Sequence, residues 1–398
     1  VDEAAGRRHR GRRGKAAVVS RRLGLVLAAA LVVRLVPILA ADRMVADVLR
    51  YQKAARHVLD VSWNPYLAPR LYPYPPLWIW AEAGSEWLAR ETGASFAVLV
   101  KLPVLLADLG IILACWASAS RSAQRASWLF ALHPVSILVT SFHGQFDSVM
   151  LLFVLMALRF HGAGRFDASA LSLSGAIATK SFPVLLLPFF VVSLGVSRAV
   201  RFVLLAIVPV LLLLLPYAIA DIGALAHELL GYGGIADFGW IGAWRGLRWM
   251  ATGALARSEA QHWPDAVLAA KLLFLVAYAA GLWAVATRRL RLTLPEVTLA
   301  VFLAFIVFYG AISAQYLVWP VPFGALLPGV GFALYSAAAV LALVGFYLFL
   351  APGVLSAGGP GPLGPHLAGL VWACGAAAVL AASGAWLAAL LRRGRGRA

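Results

Sequence analysis

Ala178-Thr179-Lys180-Ser181-Phe182-Pro183 is the stretch on which the topology turns. It interrupts an apolar run over 168–196. As a single helix that run would be about 43 Å long at about 1.5 Å per residue, well beyond a hydrocarbon core of about 30 Å. It would also carry Arg198, Arg201 and the basic cluster at 288–291 to the opposite side from the other basic loops. Pro183 disfavours helix at Phe182. A turn at Lys180–Pro183 is therefore expected, with two short half-spans around a polar cavity.

The rest of the chain has the composition of a membrane protein. It is 62% hydrophobic and 13% charged, with a mean hydropathy of +0.85; soluble domains carry about 25% charge. The formal net charge of +17 does not mark a nucleic-acid binder, because the bases sit in short loops and at both tails, the positive-inside pattern. Cys115 and Cys374 lie in apolar runs and read as small buried hydrophobes. The first segment, Leu23 to Ala41, follows a basic tail and is long enough to span rather than act as a short cleaved signal.

Basic loops fall at 7–22, Arg121 and Arg125, Arg159 and Arg165, Arg198 and Arg201, 288–291 and 392–397. If all are cytoplasmic, helical hairpins must lie between them. An all-α polytopic protein is expected, with about twelve spans at 23–41, 97–119, 126–141, 147–161, 168–180, 182–196, 202–219, 265–287, 295–312, 316–328, 330–351 and 367–391. Both ends are inside, and the boundary near Pro328-Gly329 carries no charge to mark its side. Most acids then fall outside, among them Asp42, Asp47, Glu82, Asp221 and Asp237. Two outer loops are long. Residues 42–96 hold a helix-like stretch from Val45 to Leu59, a tract rich in Tyr and Pro, and an amphipathic stretch from Pro76 to Arg90. Residues 220–264 are rich in Gly and Trp and include Arg245 and Arg248.

This topology gathers polar motifs at one face. Asp47 follows the first span, His143-Gly144-Gln145-Phe146-Asp147 and Lys180 lie at outer turns, and so does Ser313-Ala314-Gln315-Tyr316. Ionisable groups at membrane depth are costly and by default functional. Each also has a structural alternative. Asp47 reads equally as a solvated loop acid, and Asp147 as a helix N-terminal acid beside a capping His143. Lys180 can snorkel to headgroups, and Gln315 can satisfy a broken helix end. Tyr72, Tyr74, Trp78 and Trp80 can form an interfacial belt. Arg34 and Asp108, inside the first and second spans, read as a buried structural pair.

Together these motifs resemble the GT-C glycosyltransferases, membrane enzymes that use polyprenyl-phosphate sugars. Asp47 through His57, Asn64-Pro65-Tyr66, Tyr72-Pro73-Tyr74-Pro75-Pro76-Leu77 and Lys101-Leu102-Pro103 with Asp108 follow the order seen in the GPI-anchor mannosyltransferase and its relatives. His143–Ser148, Ala178–Pro183 and Ser313–Pro320 look more like bacterial polyprenyl-phosphate mannosyl- and glucosyltransferases. The resemblance covers roughly 23–325. It implies a basic cytoplasmic tail (1–22), a seven-span module with its outer loop (23–219), a second outer loop (220–264) and C-terminal helices with a basic tail (265–398). Relatives often show Asp-x-Asp where this chain has Val45-Ala46-Asp47, which leaves one first-loop carboxylate.

The resemblance implies a lipid-phosphate sugar donor, and the residues suit that chemistry. A phosphate leaving group needs cations rather than a general acid, and the acceptor hydroxyl needs a base. Asp47 is expected as the base, giving inversion. Lys180, then Arg248, Arg245 and Arg50, are expected at the donor phosphate. His143, Gln145, Asp147, Tyr74, Gln315 and Tyr316 are expected at the sugar or acceptor. No cofactor and no obligatory divalent metal are expected. The expected partners are a lipid-linked sugar, mannose first, a glycan, glycolipid or protein acceptor, and the bilayer, with no nucleic acid. The expected place is the cytoplasmic membrane with the site outside. A transporter or flippase of lipid-linked sugars would share the spans and the anion site, but it predicts two similar halves with midplane polar groups, which the chain does not show. A structural subunit of an envelope-assembly complex predicts no loss of chemistry on changing Asp47.

Overall fold

The structure is a computed structural model that describes residues 2–40, 46–116, 120–231, 233–352 and 363–397, with side chains from Arg21 onward, Ala260 excepted. Val45 and Asp42 lie outside the described residues, as does the end of the expected second span beyond Trp116. The described residues form helices and turns, with only two isolated β-bridges, Ile235–Glu259 and Phe238–Ile312.

In chain order the helices are α1 (Asp2–Ala40), α2 (Ala46–Asp60), α3 (Leu77–Thr92), α4 (Phe96–Trp116), α5 (Arg121–Ala131), α6 (Pro134–Ser136), α7 (Asp147–Gly162), α8 (Phe166–Thr179), α9 (Leu187–Val191), α10 (Val196–Gly231), α11 (Gly239–Thr252), α12 (Pro264–Ala286), α13 (Leu294–Phe308), α14 (Val321–Leu326), α15 (Val330–Gly345) and α16 (Pro365–Arg395). Among the described residues, six helical segments are long and apolar enough to cross a membrane: Arg21–Ala40, Phe96–Trp116, Val196–Gly231, Pro264–Ala286, Val330–Leu350 and Pro365–Arg395. Phe182–Val191 and Leu294–Phe308 are shorter apolar helices.

Proline sets the main departures from regular spans. The expected 126–141 segment is two pieces, because Pro134 holds His133 extended (φ −71°, ψ 119°) between α5 and α6. From Ile137 to Phe142 the chain then widens into a π-helical turn, a form common at functional sites. The break at Lys180 is present. Helix α8 stops at Thr179, Lys180 is extended (φ −144°, ψ 139°), and a short 3-10 turn over Phe182–Leu186 leads into α9. Helix α10 runs beyond the expected 202–219 span, with non-helical backbone at Asp221 where the second outer loop was expected to begin.

One buried charge cluster joins five of these helices. Arg34 Nε of α1 donates to Asp108 Oδ2 of α4 at 2.8 Å, and both side chains are fully buried. The guanidinium also donates to the Phe130 carbonyl of α5 (3.2 Å) and to Ser136 Oγ of α6 (3.0 Å). Asp108 accepts from Thr140 Oγ1 at 2.7 Å and from Ser148 Oγ of α7. Every strong donor near Asp108 is thus used, as a charge at membrane depth requires. At the other end of the chain, α15 and α16 touch backbone to backbone. A Cβ on Gly375 would sit 2.6 Å from Ala342 Cα, the close approach that small residues allow between membrane helices.

Removing one member of the buried pair strands the other. Asp108→Ala is expected to cost about 3–5 kcal/mol and to lower the detergent-solubilised melting temperature sharply. An unchanged melting temperature would show that the pair does not hold these helices together.

Candidate active site

Asp47 occupies the first turn of α2, where a carboxylate gains from the helix dipole. It is half-buried. His143 Nε2 lies 2.9 Å from its Oδ2, and Gln145 Nε2 donates to the same oxygen at 2.5 Å. Burial opposes ionisation of Asp47. The hydrogen bond and charge of His143, helped by Arg50 and Lys180, outweigh it and hold the carboxyl below its usual range. The group is therefore an ionised acceptor at neutral pH.

The turn that aims His143 and Gln145 depends on Gly144. Its φ of +85° is left-handed, and an added Cβ would meet Lys101 Cε at 2.9 Å and Val48 Cγ2 at 3.0 Å. A side chain there is excluded on both counts. Gln145 is held in turn by Tyr51, whose hydroxyl donates to Oε1 at 2.9 Å. His143 Nδ1 lies 3.0 Å from the Tyr347 hydroxyl, and that hydroxyl donates to the Leu138 carbonyl at 3.1 Å. Tyr347 thus ties one ring nitrogen of His143 to the π-helical turn while the other faces Asp47.

Phe146 joins this turn to the first outer loop. Its ring stacks on Trp78 with centroids 4.7 Å apart and meets Tyr74 and Tyr51 edge-on at 4.9 and 5.8 Å. Of the aromatic tract, Tyr72 and Trp78 are buried and Trp80 is exposed. Most of the tract thus serves as an internal scaffold under Asp47. Asp147, one residue on, pairs with Lys180 at 2.8 and 2.9 Å and accepts from Trp319 Nε1 at 2.5 Å. The Lys180 ammonium lies 4.5 Å from the Phe146 ring centre, with Tyr74 and Tyr316 at 5.5 and 5.9 Å.

The expected site residues separate into groups. Asp47, His143 and Gln145 meet directly. Asp147, Lys180, Tyr74 and Tyr316 form a second cluster behind them. Lys180 is the first residue expected at the donor phosphate. It is buried, and its charge is opposed by Asp147. Gln315 is buried in the short 3-10 helix beside Tyr316. Arg245 is also buried, donating to the carbonyls of Ala236 (2.5 Å) and Ala256 (3.0 Å) and lying 3.7 Å from Asp237. Arg248 is exposed against the Trp244 ring.

The open cations lie elsewhere. Arg50, one turn along α2 from Asp47, borders a cavity of about 540 Å³ together with Arg70, His227, Glu228 and Lys271. Arg70 has left-handed backbone (φ 61°), and its N–H donates to Glu228 Oε1 at 2.6 Å. Sequence reasoning missed Arg70 and Lys271 because nothing local ties them to Asp47; they arrive by the folding of the outer segments. Tyr347 gave no signal within an apolar span. The sequence places Asp237 only among the outer acids. The bridge from Phe238 to Ile312 (N···O 2.7 Å) anchors its segment, and it lies near enough for its charge to act on that of Asp47. Among the described residues, no three His, Cys, Asp or Glu converge as a metal site.

Residues 51–196, over a third of the chain, match the MptA_B family profile, described as alpha-(1->6)-mannopyranosyltransferase, N-terminal domain. No curated protein sequence matches. The crystal structure of ArnT from Cupriavidus metallidurans bound to undecaprenyl phosphate superposes with a TM-score of 0.47 and 17% identity, covering 93% of this chain and 77% of that one. Residues 51–196 are thus similar to the N-terminal domain of a mannopyranosyltransferase family, within a helical membrane architecture.

Proposed function

We propose that the chain transfers a hexose, mannose first, from a polyprenyl-phosphate donor to an acceptor hydroxyl at the extracytoplasmic membrane face, with inversion at the anomeric carbon. One observation carries the reading: an ionised, half-buried carboxylate is held by His143 and Gln145, and one turn along the same helix Arg50 borders an open cavity with Arg70 and Lys271, beside Glu228 and Glu259. The profile match supports the mannosyl choice. The positive-inside distribution of Lys and Arg supports the side.

In this reading Asp47 takes the proton of the acceptor hydroxyl as its oxygen forms the bond to the anomeric carbon. The bond from that carbon to the donor phosphate oxygen breaks on the opposite face, and polyprenyl phosphate leaves with the electron pair. Arg50, Arg70 and Lys271 meet that charge. Lys180 and Arg245 act as positioning residues, because their charges are already engaged. His143 and Gln145 orient the Asp47 carboxylate, and Tyr74 and Tyr316 border the Lys180 cluster beside it. No step requires a divalent metal.

Asp47→Asn tests the base. The amide keeps the shape and removes the proton acceptor, so turnover with a panel of polyprenyl-phosphate sugars should fall about 100-fold or more. The folded variant retaining over about a tenth of wild-type turnover would sink the assignment. The assay is run in EDTA; if turnover stops there and manganese or magnesium restores it, the metal-free account fails.

Arg70→Ala and Lys271→Ala test the cavity. Each is expected to raise KM for the donor by about tenfold, the loss of roughly one charge-assisted contact, with the melting temperature kept. A donor KM unchanged in both would place the phosphate elsewhere.

Asp237 sets a separate pH effect. Burial, opposed by Arg245 and assisted by the charge of Asp47, pushes its carboxyl up to about 7. Its folded value is raised, so its contribution favours the folded state below about 4 and is lost as pH rises to about 7. The change is up to about 4 kcal/mol. Thermal unfolding between pH 5 and 8 should show wild type losing stability and Asp237→Asn staying flatter; parallel curves would refute it.

A further inference from the structure

We propose that a second site, at the basic end of α12, α13 and α16, binds an anionic phospholipid. Its phosphate lies between Arg289 and Arg395, and an acyl chain runs along the apolar wall behind them. The proposal is independent of the sugar-transfer reading.

The cavity measures about 500 Å³ and is walled by Phe274, Tyr278, Trp283, Val301, Phe308 and Leu387. Three helices supply these walls. Tyr278 spends its hydroxyl on the Leu185 carbonyl at 2.7 Å, so it has no spare donor for a polar guest. Only Arg289 and Arg395 bring charge to the lining. An apolar slot with two guanidinium groups at one end matches a molecule with an apolar chain and an anionic head.

The two arginines differ from their neighbours. Arg397 pairs with Glu296 at 2.9 Å and Arg393 lies 3.7 Å from it. Arg393 lies in the last turn of α16 and Arg397 just beyond its end. Arg395, midway between them, projects to the cavity side. Among the described residues neither Arg395 nor Arg289 pairs with a carboxylate. Arg289 instead lies over the exposed Trp283 ring, 4.4 Å from its centre, which places an indole at the junction between head and chain.

Depth favours a lipid of one leaflet. Helix α12 has 23 residues and is about 35 Å long. Near its start, Pro264 and Lys271 border the outer cavity with Arg50. The apolar cavity follows its second half from Phe274 to Val285, about 17 Å and close to half of a core of about 30 Å. The site thus reaches from the headgroup level at the basic end to the bilayer midplane. The positive-inside rule makes that the cytoplasmic leaflet, whose anionic lipids attract basic groups. A polyprenyl chain, longer than one leaflet, would overrun it.

Quenching of Trp283 by brominated lipids tests the site. The chain has 14 tryptophans, so the signal is the difference between wild type and Trp283→Phe. In micelles titrated with bromine-labelled phosphatidylglycerol or phosphatidylcholine, the Trp283 component should saturate at about tenfold lower phosphatidylglycerol. The double variant R289Q/R395Q should erase the preference, and R289K/R395K should keep most of it. Equal potency of the two lipids on wild type, which needs no arginine variant, would overturn the proposal. So would absence of a Trp283 component, or a preference that survives R289Q/R395Q. Displacement of phosphatidylglycerol by sub-stoichiometric undecaprenyl phosphate would overturn the choice of a phospholipid.

Discussion

Charge inside a membrane must be paired, and in this chain the pairing converges on the first turn of α7. Ser148 reaches Asp108, which is bound to Arg34. Asp147 reaches Lys180 and Trp319. Residues 143 and 145, just before the helix, reach Asp47. Three networks therefore start within six residues. Each would be costly if left half-made, since an unpaired buried charge destabilises by several kcal/mol. The requirement to satisfy all three fixes how α1, α4, α8 and the first outer loop sit around α7.

The aromatic groups make that arrangement stiff. Phe146 is covered by Trp78 on one side and Lys180 on another, so the loop bearing Asp47 cannot move away without exposing a ring and a cation together. Gly144 is what lets the chain turn tightly enough for His143 and Gln145 to point the same way. A carboxylate held by two donors on one oxygen loses rotational freedom before substrate arrives, and such pre-positioning is worth much in catalysis.

The all-helical membrane architecture was legible because it rests on hydropathy and on proline. The break after Thr179 follows from Pro183, and the buried pair follows from two charges in apolar runs that had no other partner. The loop acid Asp47 was legible as a site candidate because the motifs around it are local. The state of Lys180 was not. Its sequence neighbours give no sign that Asp147, 33 positions earlier, lies 2.8 Å away. The same holds for Arg70, Lys271 and Tyr347. Their roles arise from long-range closure, which neither hydropathy nor local motif encodes. The π-helical turn before His143 has no counterpart in the hydropathy pattern, which reads 126–141 as one span.

Two kinds of positive charge now stand apart by physical role. Lys180 and Arg245 are buried and engaged, so a substrate could use them only by breaking an ion pair or backbone bonds in a low-dielectric setting, at a cost that offsets the gain. Arg50 and Arg70 are exposed and Lys271 half-buried at an open cavity, where an incoming phosphate replaces water and loses little. A leaving group that develops charge is best met by groups not already neutralised. In the proposed reaction the buried set fixes the position of Asp47 and the open set faces the donor; a site that used one set for both tasks would weaken its own scaffold each time substrate bound.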